Sequence, residues 1–178
     1  MPIFIALLRS VNVGGNTLSM ERLRAVCAEL GVENARTYVQ SGNLVFAAPG
    51  SAAQWATALE RKLAGESRLV VSVVVRTAAA MGQIVAGNPF LKEKGIDLAK
   101  LHVTFLQQAP PKTALKMFDS LNGGADRSKL VGEEIYLHCP NGYGRTNLSN
   151  NALEKVLGVR ATTRNWNTVN KLYQMSAE

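Results

Sequence analysis

The chain of 178 residues holds only two cysteines, Cys27 and Cys139, and two histidines, His102 and His138. So few thiols, one on an expected helix and one at the end of an expected strand, suit a reducing compartment better than a disulfide framework. His138 and Cys139 are neighbours on an expected strand and point to opposite faces, so no metal site is expected. No apolar run reaches the roughly 20 residues that would span a bilayer. Met1–Leu8 has no basic leader and Arg9 interrupts its apolar run, which argues against a signal peptide and for a cytoplasmic protein. No block of five like charges suggests a disordered tail.

What is present is ordinary globular material with a basic bias. Hydrophobic residues make up 47% and charged residues 19%, a balance that excludes disorder as the main state. The formal net charge is +7, spread over both halves, and it favours anionic partners such as nucleic acid or phosphorylated metabolites.

The order of expected elements repeats. Ile3–Leu8 has the length of a strand. Ser19 can cap a helix whose Met20, Leu23, Val26, Cys27 and Leu30 form one stripe, with Gly31 as its stop. Asn34–Val39 and Leu44–Ala47 read as a hairpin about Gln40–Asn43. Ser51 and Gln54 match a capping box, opening a helix that turns Trp55, Leu59 and Leu63 inward before Gly65. Valine-rich Leu69–Arg76 reads as a buried strand. The order is β-α-β-β-α-β.

A linker helix over Ala78–Ala86 then leads to a looser copy. Leu101–Leu106 is a strand, and Pro111 opens a helix carrying Leu115, Phe118 and Leu121. Ser128–Val131 and Ile135–His138 form a hairpin, and Ser149 caps a helix over Asn150–Leu157. A short extended piece near Val159–Thr162 precedes a last helix over Asn165–Met175. The expectation is an α+β protein of two tandem ferredoxin-like (βαββαβ) subdomains, residues 1–76 and 77–178, packed into one compact unit.

The strands Ile3–Leu8 and Val70–Val75 are apolar on both faces, so both faces of that sheet need covering, by the second half or by a second chain in a homodimer. RNA binding on an open sheet is disfavoured, because Asn43–Ala47 offers only Phe46 for stacking.

Three spaced motifs carry a resemblance. Leu7–Gly15, Thr37–Asn43 and Thr162–Val169, together with Pro140–Arg145, resemble the signature segments of the bacterial domain-of-unknown-function 1697 family (DUF1697). The resemblance implies paired ferredoxin-like subdomains and no established activity. Family members commonly carry a lysine after the double glycine, where this chain has Asn16–Ser19, and another after the Arg-Ser/Thr pair, where it has Asn147.

Four polar segments suit ligand contact. The first is Arg9, Asn12, Gly14 and Gly15, between a strand and a helix start. Glycine permits close backbone approach there, and free N–H groups favour an anion. The second is Gln40, Ser41 and Asn43 in the hairpin turn, where Gly and Asn are also expected for conformational reasons alone. The third holds Tyr143 and Arg145, and the fourth Thr163, Arg164, Asn165 and Asn167. In the last two an arginine sits among hydroxyl and amide groups and can grip phosphate through its planar fork. The competing reading of the fourth is N-capping by Thr163 with Trp166 in the core.

No catalytic triad, nucleophile elbow, zincin helix or nucleotide-binding glycine fingerprint is present, and no cofactor is indicated. The expected function is binding of a phosphate-bearing anion, nucleic acid or nucleotide, in a basic cleft between the subdomains. The alternatives are a hydrolase or transferase acting on an anionic substrate there and a structural homodimer scaffold.

Overall fold

The computed structural model describes residues 1–12, 15, 17–67 and 70–178. Gly14 of the first polar segment, and Leu69 at the start of the valine-rich stretch, lie outside the described residues. The chain divides into two compact units. One is Met1–Gln83 with the C-terminal segment Leu172–Glu178, and the other is Ile84–Lys171. The division falls inside the linker helix, and the last seven residues belong to the first unit.

The first unit contains β1 (Ile3–Arg9), α1 (Met20–Glu29), β2 (Arg36–Thr37), β3 (Asn43–Ala47), α2 (Ala52–Ser67) and β4 (Ser72–Thr77), followed by α3 (Ala78–Ala86). Its antiparallel sheet has the order β2-β3-β1-β4. The second unit contains β5 (Leu101–Leu106), α4 (Leu115–Ser120), β6 (Arg127–Val131), β7 (Glu134–His138), α5 (Asn150–Leu157) and β8 (Ala161–Asn165), with α6 (Trp166–Ser176) after them. Its sheet order, β6-β7-β5-β8, repeats the first. The protein is α+β, built from tandem ferredoxin-like units.

Local chemistry explains most element ends. The Ser19 hydroxyl accepts from the Arg22 amide at 3.0 Å and caps α1. The capping box of α2 forms in both directions, Ser51 N–H to Gln54 Oε1 at 2.9 Å and Gln54 N–H to Ser51 Oγ at 3.3 Å. Ser149 caps α5, and Gly158 closes it in the left-handed conformation.

In each unit the helices cover one sheet face. Phe4, Ala6, Leu8, Leu44, Phe46, Val73 and Val75 meet Leu23, Val26, Leu59 and Leu63 in the first core. Leu106, Ile135, Leu137 and Ala161 meet Phe118, Leu153 and Leu157 in the second. The opposite faces, Ile5, Leu7, Val45 and Val74 in one sheet and Leu101, Val103, Phe105 and Tyr136 in the other, are also buried within the single chain.

Three elements differ from expectation. β2 is two residues long, not six, because Asn34 and Val39 take positive φ values of 60° and 51° that bend the chain out of the sheet at both ends. α2 runs through Gly65 to Ser67. One glycine costs a helix only about 1 kcal/mol, less than the burial of Leu59 and Leu63 contributes. Lys112–Ala114 forms a 3₁₀ turn, so the α-helix starts at Leu115 and stops before Leu121.

Candidate functional site

In the first unit the first two polar segments meet. β1 and β3 pair Leu7 with Asn43, and the Leu8 amide donates to the Gly42 carbonyl at 2.9 Å, which places the β1 loop beside the hairpin turn. The Asn12 side chain fastens them. Its Nδ2 donates to the carbonyls of Leu18 at 3.0 Å and Gln40 at 2.7 Å, while its Oδ1 accepts from the Leu18 amide at 2.9 Å. Asn43 is fully buried and donates to the Tyr38 carbonyl and Ser41 Oγ. Arg9 donates to Ser10 Oγ at 2.9 Å. The amides of Asn12 and Asn43 therefore build the turn, while Gly15, Gln40 and Ser41 are exposed. Ser10, Asn12 and Val39 all have φ between 51° and 65°. Left-handed backbone costs a β-branched residue such as Val39 about 1–2 kcal/mol, and the bonds of Asn12 and Asn43 hold it there.

The fourth segment is a strand. β8 pairs with β5 through Thr163–Thr104 and Asn165–His102. Thr163 Oγ1 lies 2.7 Å from Thr104 Oγ1 and 2.7 Å from Asn150 Oδ1. Arg164 is buried, and its guanidinium donates to Thr162 Oγ1 at 2.8 Å and to the Thr163 carbonyl at 3.0 Å. Burial lowers its pKa to about 10. Asn165, not Thr163, caps α6, accepting from the Thr168 amide at 2.8 Å, because Thr163 lies inside the strand, and Trp166 is 5% exposed in the core. Asn165 and Asn167 are both exposed, and of the two only the Asn167 side chain makes no bond to another described residue.

The third segment behaves otherwise. Gly142, at φ 91°, reverses the chain after β7, and Tyr143–Arg145 form a 3₁₀ turn closed by Thr146 N–H to the Tyr143 carbonyl. Thr146 Oγ1 then accepts from the Leu148 amide at 3.0 Å, and buried Leu148 anchors the loop. This sets Arg145 in a hollow of about 280 Å³ together with Asn141, Asn147, Gly123, Gly124 and Asp126. The opposing loop is fixed by Asn122 Oδ1, which accepts from the Ser128 amide and hydroxyl.

Within the second unit, arginine pairing sets this hollow apart. Arg127 makes two bonds to Glu93 at 2.7 and 2.9 Å, Arg160 stands 3.9 Å from Glu154, and Arg164 is bonded internally. Arg145 is the one arginine of the second unit whose guanidinium has no partner among the described residues. Asp126, Asn141 and the glycine pair are missed by sequence reasoning. The signal that could have found them is Gly123–Gly124–Ala125–Asp126, a loop between a helix and a hairpin.

Tyr143 turns the other way and stacks on His102, ring centroids 4.9 Å apart. Burial lowers the His102 pKa from its ordinary 6.5, a hydrogen bond to the Lys100 backbone opposes this, and Nδ1 has no partner. A histidine with a depressed folded pKa binds fewer protons folded than unfolded. It therefore costs stability as pH falls below about 6.5. His102→Phe, which keeps the ring stack, is expected to gain stability relative to the parent between about pH 7.5 and 5. Urea midpoints at both pH values measure this, and an unchanged difference would refute it.

Among the described residues no three His, Cys, Asp or Glu side chains are grouped to hold a metal ion. No helix among them is long and apolar enough to cross a membrane.

These features define a tandem ferredoxin-like α+β protein with a polar, arginine-bearing hollow in its second unit. The chain belongs to the family described as protein of unknown function DUF1697, whose model matches residues 1–136. That match takes in the Gly123–Asp126 wall of the hollow and ends before Asn141 and Arg145. Among solved structures the chain is similar to the conserved bacterial protein SP0830 from Streptococcus pneumoniae. The identity is 23%, the TM-score 0.80, and the alignment covers 100% of this chain and 99% of that one. At this identity the likeness shows the fold. Among curated proteins none matches the sequence.

Proposed function

We propose that the protein binds a phosphate-bearing anion at Arg145. The observation that carries this is the unpartnered guanidinium, in a polar hollow that the amide residues Asn141 and Asn147 also line. A guanidinium without a counter-ion is a ready fork for phosphate, and amides add donors around it. The net charge of +7 supports the same sign of ligand by raising its encounter rate. The cytoplasm, where thiols stay reduced, is the location we propose, and buried, free Cys27 and Cys139 support it.

Calorimetric titration with a nucleoside monophosphate at low salt tests this reading. Arg145→Gln is expected to lose about tenfold to a hundredfold in affinity, the range for one charged hydrogen-bonding group. Arg145→Lys retains the charge but not the fork and is expected to fall between. Equal affinities for the parent and Arg145→Gln would end the proposal.

A further inference from the structure

We infer that the anion is a small phosphate monoester carrying a vicinal diol, as in a pentose phosphate or a nucleoside monophosphate, and not the backbone of a nucleic acid. The inference rests on the Arg145 reading and deepens it through the other charged group in the hollow, Asp126.

Asp126 lines the same hollow as Arg145, yet no ion pair or hydrogen bond joins it to Arg145 or to any other described residue. It is half-buried. An ionised carboxylate can only accept hydrogen bonds, so it asks for hydroxyl or amine donors from whatever fills the space before it. An arginine that has not collapsed onto a carboxylate in the same hollow leaves room for a ligand with both characters. Phosphate fits at the arginine end and hydrogen-bond donors at the aspartate end. Adjacent hydroxyls of a pentose supply two such donors to one carboxylate, the arrangement by which acidic residues hold ribose in dinucleotide sites.

Size and charge disfavour the polymer. A hollow of about 280 Å³ falls just below the range of drug-sized small-molecule sites, roughly 300–1,000 Å³. Single-stranded nucleic acid needs a basic groove spanning about four nucleotides or more. Here the Asp126 carboxylate in the same hollow is a like charge to every phosphate of a chain, which costs affinity. The open Gly123–Gly124 wall, where an added Cβ would meet nothing within 4 Å, leaves space beside Asp126 for a sugar ring.

The test titrates the full chain with four probes: inorganic phosphate, ribose 5-phosphate, 2-deoxyribose 5-phosphate and a short single-stranded oligonucleotide. Ribose 5-phosphate is expected to bind at least about tenfold tighter than phosphate or the deoxy sugar, a margin of one or two hydrogen bonds to a charged group. Asp126→Ala is expected to erase that preference while phosphate affinity is kept or raised. Adenosine monophosphate as a fifth probe separates the two sources: tighter binding than ribose 5-phosphate indicates a nucleotide, and weaker binding indicates a free sugar phosphate. Equal binding of the ribose and deoxyribose probes, a preference that survives in Asp126→Ala, or tightest binding by the oligonucleotide would overturn the diol inference and leave the anion site at Arg145 standing. Binding of every probe that is unchanged in Arg145→Gln, or no binding of any probe, would remove both.

Discussion

Gly42→Val is expected to destabilise the protein by about 2–5 kcal/mol, the sum of a left-handed backbone penalty and core overpacking. Gly42 has φ 80°, a conformation that costs any L side chain. A Cβ built there would stand 2.9 Å from Leu8 Cβ and 3.5 Å from Val11 Cβ. Leu8 cannot swing away, because its Cβ is fixed to β1 and its side chain belongs to the first core. The Gly42 carbonyl also accepts the Leu8 amide, so moving the turn would break a β1–β3 connection. Against the 5–15 kcal/mol total typical of a domain this is a severe loss. Gly42→Ala carries the same φ and the same first contact with less bulk, and falls lower in the range. Urea unfolding of both variants measures it. A midpoint for Gly42→Val within error of the parent would mean that the turn has slack, and that its glycine must be explained by something approaching from outside.

The contrast between the two halves of the candidate site shows what the sequence can and cannot carry. Elements governed by neighbours were legible. Ser19, Ser51 with Gln54, and Ser149 lie within three residues of the amides they cap, and each cap forms as expected. The apolar runs of β1 and β4 announced sheet faces buried on both sides, and they are. The surroundings of Thr162–Asn165 were not legible because its partners are remote. Thr104 is 59 residues away from Thr163, and Asn150 is 13 away, so hydroxyls that satisfy one another inside a sheet resembled groups waiting for a ligand. Arg164 was no more legible, since its bonds to Thr162 and Thr163 need the strand to exist first. Arg145 was legible as an arginine beside helix-start polar groups. Asp126 was not, because a single acid after Gly-Gly-Ala has no periodicity and meets Arg145 only when two loops close on one hollow.

Asn43→Asp, nearly isosteric, is expected to cost about 3 kcal/mol or more at neutral pH, the scale for a buried unpaired charge, and much less in acid. Asn43 is 0% exposed, and its Nδ2 donates to the Tyr38 carbonyl at 2.8 Å and to Ser41 Oγ at 3.0 Å. A carboxylate there would turn an oxygen toward the Tyr38 carbonyl oxygen and surrender the donor. A protonated carboxyl restores one O–H donor. Burial and the facing carbonyl both raise the folded pKa of the new acid above its unfolded value of about 3.9. Below that value both states are protonated and the variant is closest to the parent. As pH rises past it the unfolded chain ionises first and is favoured, so the deficit grows until the folded carboxyl also ionises. Urea midpoints of parent and variant at about pH 3.5, 5 and 7 give the curve, normalised to the parent at each pH. A deficit that is flat across this range, or a variant as stable as the parent at neutral pH, would show that Asn43 does not hold the turn through its amide donor. The turn residues would then return to consideration as ligand groups. A deficit that opens with pH assigns Asn43 to architecture.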